Sequence, residues 1–153
     1  MDSIFLMKPE SVCVTQAEGK DDILRRLSDL FAEAFELDAA AVLDNLEERE
    51  KLGSTGFGRG VAIPHARMPE MTSPVAALMK LERPVAFAAA DGLPVSLVFG
   101  LLSPAASGAT HLHALAAISR LVRDERVNDA LCDATDREAL YSVLTNAMDR
   151  DAA

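Results

Sequence analysis

The chain has no tryptophan, a single tyrosine and only two cysteines in 153 residues. Cys13 and Cys132 are far apart and make no CxxC spacing. The chain is therefore not a disulfide scaffold, and a reducing compartment fits. Both thiols are expected to be small core residues and not reactive groups. Basic residues are in deficit: 15 Lys and Arg stand against 24 Asp and Glu, a net charge of -9. That balance argues against a surface built to neutralise nucleic-acid phosphates. It suits basic or neutral protein partners. Met1 to Pro9 lacks the basic region and apolar stretch of a signal peptide. The longest apolar run, Leu93 to Leu102, falls well short of the ~20 residues that span a bilayer. The expectation is a soluble, cytoplasmic protein with no nucleic-acid partner and no direct membrane insertion.

Half of the residues are hydrophobic, enough for a sizeable core in one domain over residues 1–153, with an ordered core over about 9–149. No repeat, low-complexity tract or linker divides it. Val12 to Gln16 reads as a strand. Asp21 to Phe35 reads as a helix, because Ile23, Leu24, Leu27, Leu30, Phe31, Ala34 and Phe35 recur at i, i+3, i+4 spacing. Asp38 can cap a second helix to Leu52, which Gly53 ends. Gly53 to Gly60 reads as a loop, and Val61 to Ile63 as a strand that stops at Pro64. Val75 to Leu81 is a strand candidate. Asp91-Gly92 marks a turn between Val85–Ala89 and the run Val95 to Leu102. That run is almost continuously apolar, as a central strand covered on both faces would be.

The last third is helical. Thr110 can cap a helix to Arg123 with Leu112, Leu115, Ala116, Ile118, Leu121 and Val122 inward. A short helix spans Val127 to Asp133. The capping box Thr135-Asp136-Arg137-Glu138 opens a last helix to Met148, with Leu140, Val143 and Leu144 on its apolar face. These elements imply a layered α/β domain, helices on both sides of a strand-rich middle.

The chemistry concentrates in Gly53-Ser54-Thr55-Gly56-Phe57-Gly58-Arg59-Gly60-Val61-Ala62-Ile63-Pro64-His65-Ala66. A Walker A loop fails, since Arg59 and Gly60 stand where Lys and Ser/Thr belong. GxGxxG fails at Val61. Both nucleotide motifs also lead into a helix, and this loop leads into a strand. His111-Leu112-His113 is no metal pair, because residues two apart on a helix do not share a face. His113 reads as a helix-surface or partly buried histidine. Phosphoryl transfer through His65 remains. A neutral imidazole nitrogen attacks phosphorus well at cellular pH. Backbone N–H groups at Gly56, Gly58 and Gly60 and the hydroxyls of Ser54 and Thr55 could cradle the group. Arg49 or Arg59 could hold its oxygens. His111, in the first turn of its helix, could contact it as well. A core histidine held by a backbone hydrogen bond is the alternative reading of His65.

Glu50, then Phe57-Gly58 and Val61-Ala62-Ile63-Pro64-His65-Ala66, resembles the active-site signature of mannitol/fructose-type enzyme IIA domains. These belong to the bacterial phosphoenolpyruvate-dependent phosphotransferase system. Arg49 to Gly56, Asp91 to Val95 and Thr110 to Leu115 extend the resemblance over nearly the whole chain. It implies one EIIA type-2 domain, a mixed central β-sheet flanked by helices on both faces. It implies that His65 is phosphorylated on Nε2, that Arg49 stabilises the phosphoryl group and that His111 is the second active-site histidine. Transfer between two imidazoles requires no metal or other cofactor. The Gly-Ser-Thr-Gly-Phe-Gly run is most similar to the nitrogen-regulatory branch. That branch implies a histidine phosphocarrier protein as donor, and regulatory targets such as kinases or transporters. Ala66 departs from the commoner glycine. Two rivals stay open: a sugar-specific IIA subunit passing phosphate to a IIB protein, and a regulatory module never phosphorylated.

Overall fold

The computed structural model describes residues 4–152. After a 3-10 turn at Pro9–Ser11, the elements are β1 (Val12–Thr15), α1 (Lys20–Phe35), α2 (Ala39–Lys51), β2 (Gly56–Gly58), β3 (Val61–Ala62), β4 (His65–Met68), β5 (Val75–Val85), β6 (Val95–Pro104), α3 (Gly108–Arg123), α4 (Glu125–Asp133) and α5 (Arg137–Ala152). The six strands form one mixed sheet in the order β1-β5-β6-β3-β2, with β4 also on β6. Side chains alternate along a strand, so the sheet has two apolar faces. Leu78, Leu97, Phe99 and Leu101 pack under α3, α4 and α5. Ala77, Met79, Val98 and Leu102 pack under α1 and α2. The sheet is thus flanked by helices on both faces, as expected, and β6 is its buried central strand.

β3 ends at Ala62, before Pro64 as expected, and a further strand, β4, begins just beyond it. β3 and β4 follow the same edge of β6 in one register, Val61 beside Leu97 and His65 beside Leu101. Proline lacks an N–H and interrupts the ladder. Its carbonyl still accepts from the Leu101 N–H at 3.0 Å, so pairing resumes at His65. His65 is therefore the first residue of β4 and not a loop residue.

The glycine run is partly strand, because Gly56–Gly58 pairs antiparallel with β3. Gly58 and Gly60 take φ of 99° and 80° in the tight turn between the two strands. Glycine enters that region without strain. Arg59 lies between them at φ 58°, its N–H held by the Asp91 carboxylate at 2.9 Å. A Cβ on Gly56 would lie 2.7 Å from the Ala89 Cα. Close approach and turn geometry thus account for these glycines.

Other boundaries moved for local reasons. β5 ends at Val85, and the following segment leaves the sheet so that Phe87 enters the core beneath α1. Beyond Val85, which pairs antiparallel with Val95, Ala86–Ala89 forms no strand, and the Asp91-Gly92 turn lies in the connection between β5 and β6. Ser107, not Thr110, caps α3, accepting from the Thr110 N–H at 3.2 Å. The inward face of α3 is correspondingly His111, Ala114, Ala117, Ile118, Leu121 and Val122. Leu112 is 63% exposed and Ala116 is also outside. Asp136 caps the last helix in place of Thr135, accepting from the Ala139 N–H at 2.8 Å. Cys13 is half-buried, but Cys132 is exposed on α4 and is not a core residue. Burial raises the pKa of both thiols, with nearby cations opposing it.

Gly100 sits mid-β6, where a Cβ would come within 2.8 Å of Phe31 and 2.9 Å of Leu27, both fully buried. Gly100→Ala should destabilise the fold by about 1–3 kcal/mol through overpacking. The expected readout is a lower denaturation midpoint at an unchanged m-value.

Candidate active site

Strand β4 lies at a sheet edge between two helices. The C-terminal half of α2 approaches from one face, and the start of α3 from the other. Together they line an open cavity of about 500 Å³, bounded by Asn45, Glu48, Arg49 and Leu52, by His65, Ala66 and Arg67, and by His111, Leu112 and Leu115. His65, Arg49 and His111 thus come together from three separate elements.

His65 is fixed by two hydrogen bonds. Its Nδ1 lies 2.8 Å from the Ile63 carbonyl oxygen. A carbonyl can only accept, so Nδ1 carries the proton. The Arg49 Nε–H donates to His65 Nε2 at 3.2 Å, which requires a lone pair on that nitrogen. Both contacts select the same neutral tautomer. Burial lowers the His65 pKa and the Arg49 charge adds to that, opposed by the Ile63 hydrogen bond and Glu50. The ring therefore presents an unprotonated Nε2 at neutral pH.

Arg49 is held from behind. Its Nη1–H donates to the Gly53 carbonyl at 2.9 Å. The turn bearing Gly53 is organised by Glu50, whose side chain is 7% exposed. Glu50 accepts from the Thr55 N–H at 3.2 Å and from the Thr55 hydroxyl, and pairs with the Lys20 ammonium at 2.8 Å. Lys20 also lies over the Phe87 ring, 4.7 Å from its centroid. This buried carboxylate ties α1, the end of α2 and the glycine run together beside Arg49.

His111 is 6% exposed, and its Nδ1 lies 2.8 Å from the buried Ser103 hydroxyl. Its ring centroid is 5.5 Å from that of His65. Burial first, then the charges of His65, Arg67 and Arg49, lower its pKa to about 4. His113 points outward and is exposed.

The five loop positions do not line the cavity. The Ser54 hydroxyl donates to the Phe87 carbonyl at 2.9 Å and accepts from the Gly56 N–H. Thr55 is buried against Glu50. Gly56, Gly58 and Gly60 build the β2–β3 hairpin, and the Gly60 carbonyl accepts from Ser96 and Leu97. Arg59 is exposed in that turn, away from the cavity. Sequence reasoning gave no role to Glu50, Ser103, the Ile63 carbonyl or Arg67. Period-2 alternation would have put Arg67 on the His65 face had the strand been continued past Pro64.

His111 binds a proton less readily in the folded chain than in the unfolded one. Between pH 6.5 and about 4 the unfolded chain therefore takes up the extra proton, and stability falls as pH falls. NMR titration of the wild type should find the His111 ring neutral at pH 5. His111→Asn should lessen the stability loss across that window.

A family model for the phosphoenolpyruvate-dependent sugar phosphotransferase system, EIIA 2, matches residues 5–147. The nitrogen regulatory protein of Bradyrhizobium diazoefficiens is 41% identical over 140 residues, 91% of this chain and 92% of that protein. That of Pseudomonas aeruginosa is 43% identical over 129 residues, 84% of each chain. The crystal structure of the nitrogen regulatory protein IIA-Ntr from Neisseria meningitidis superimposes with a TM-score of 0.82 at 32% identity, covering 90% of this chain and 95% of that one. The chain belongs to the EIIA type-2 family of the phosphoenolpyruvate-dependent sugar phosphotransferase system, and its role is that of a phosphocarrier in phosphotransfer.

Proposed function

We propose that the chain accepts a phosphoryl group on His65 Nε2 from a histidine phosphocarrier protein, and that its phosphorylation state regulates protein partners in nitrogen control. The observation that carries the site is the pinned tautomer. Nδ1–H is committed to Ile63, so the ring lone pair is on Nε2, where it accepts from Arg49 in an open cavity. The relatives named nitrogen regulatory proteins support the regulatory half of the reading.

In the transfer, the His65 Nε2 lone pair forms a bond to phosphorus. The phosphorus–nitrogen bond of the donor's phosphohistidine breaks, and the donor imidazole leaves with that electron pair. Positive charge spreads over the His65 ring, and the Ile63 carbonyl stabilises it through Nδ1–H. Because Nδ1 keeps its proton, the ring remains a good leaving group for onward transfer. The Arg49 Nε–H occupies the Nε2 lone pair in the resting site, so its hydrogen bond must pass to a phosphoryl oxygen during attack. A Ser103 hydroxyl that donates to Nδ1 would leave His111 with a protonated Nε2 to offer the phosphoryl group. Ser54, Thr55 and the glycines Gly56, Gly58 and Gly60 serve this site by holding the hairpin and turn behind Arg49. The phosphoryl group adds roughly two negative charges among the exposed Leu52 and Leu112, which changes what that surface can dock.

Incubation with phosphoenolpyruvate, enzyme I and the carrier should give acid-labile, base-stable phosphate on the wild type and none on His65→Ala. Label that survives this substitution would sink the assignment. Arg49→Ala should slow transfer by about 10²–10³-fold, the loss expected for one charge-stabilising donor. Ready passage of phosphate to a IIB protein and then to fructose would replace the regulatory reading with a sugar-carrier one.

A further inference from the structure

Arg67 belongs to the cavity but takes no part in the arrangement described so far. It stands two residues after His65 in β4, so the two side chains leave the same face of the strand, while Ala66 and Met68 turn into the core. In the ladder Arg67 lies beside Ser103, whose hydroxyl holds His111. Its guanidinium passes close to the first residue of α3: a Cβ on Gly108 would be 3.6 Å from Arg67 Nη2. Strand alternation thus puts Arg67 on the His65 side of β4, and its guanidinium lies by the start of α3, where its charge acts on His111.

Its charge is uncompensated. Among the described residues, neither Arg49 nor Arg67 has a carboxylate within ion-pair distance, although the chain as a whole carries a net charge of -9. Arg67 is exposed, and no hydrogen bond to it is made within the described residues. Two guanidinium groups, two imidazoles and one carboxylate, Glu48, line the cavity, which leaves a net charge of about +1. A phosphoryl group, with roughly two negative charges, suits that excess. Arg49 enters the cavity from α2, hydrogen-bonded to His65, and Arg67 lines it from β4, so the two could hold different oxygens of the same group.

We propose that Arg67 is a second phosphoryl-contacting residue, which binds the transferring group opposite Arg49 and stabilises the charge on its equatorial oxygens. This rests on His65 being the phosphorylated residue. The bonds made and broken at His65 are those given above, and Arg67 exchanges no proton.

The test is phosphoryl transfer from the phosphorylated carrier to the full chain, in wild type, Arg67→Gln and Arg67→Lys, over a range of carrier concentrations. Arg67→Gln should lower the rate at saturating carrier about 10- to 100-fold, with KM changed by less than about threefold, since the contact is made to the transferring group. Arg67→Lys should recover part of that loss by restoring charge without the fork. A purely structural role would not confine the loss to the saturated rate, and the denaturation midpoint of Arg67→Gln should match that of wild type. In a second measurement, inorganic phosphate titrated into the unphosphorylated chain should shift the His65 and His111 ring signals. Arg67→Gln should weaken that binding by about tenfold. An unchanged saturated rate would overturn the proposal. A change confined to KM would also overturn it, placing Arg67 against the carrier surface. A wild type that takes no label on His65 would bring down the reading of His65 and this inference together, whereas a labelled wild type with an equally fast Arg67→Gln removes the inference alone.

Discussion

The hydrogen bond from His65 Nδ1–H to the Ile63 carbonyl is the contact on which the site depends. It fixes which nitrogen is free, and it requires the backbone on both sides of Pro64 to hold one line along β6. The unchanged register from Val61 to Met68 supplies that line. A proline at this point costs one ladder donor, yet leaves its carbonyl in the ladder. The ring of His65 can then turn back on the chain two residues earlier.

Around that bond, the rest of the structure brings charge to the sheet edge. Arg49 arrives from α2, steadied by Gly53 and, through Glu50 and Lys20, by α1 and the glycine turn. His111 arrives from α3, held by Ser103 of β6. Both imidazoles are kept neutral by burial and by neighbouring cations, so the guanidinium groups carry the positive charge. In the proposed transfer, nucleophile and charge stabilisers are thereby separate groups, as transfer of an anionic group to a neutral base requires.

The fold class was legible, and His65 stood out as the residue to explain, because their signals are local. The apolar period of α1, the Asp38 cap and the unbroken apolar run of β6 all formed as read. Elsewhere tertiary contacts placed residues where no local signal pointed. Proline suggested a strand end, and β3 does end before it, but pairing to β6 resumes in the same register as β4. The glycines suggested a phosphate cradle, but they serve a hairpin turn and a close approach to Ala89. Thr110 offered a cap, but Ser107 took it, and the helix face turned so that His111 went inward and Leu112 outward. Hydroxyls named as phosphate donors went to Glu50 and Phe87, partners that no short-range pattern could supply.

By itself the sequence determined that this chain builds a layered α/β domain, and that one histidine stands after a glycine-rich segment next to an arginine in the run of an EIIA signature. Such properties depend on spacing along the chain. Only the tertiary structure decided which nitrogen of His65 carries the lone pair, that Glu50 organises the turn behind Arg49, and that Arg67 lines the same cavity as His65. Each of these depends on strand register or on side chains meeting across different elements, and neither distance nor direction between such groups is encoded in any short segment.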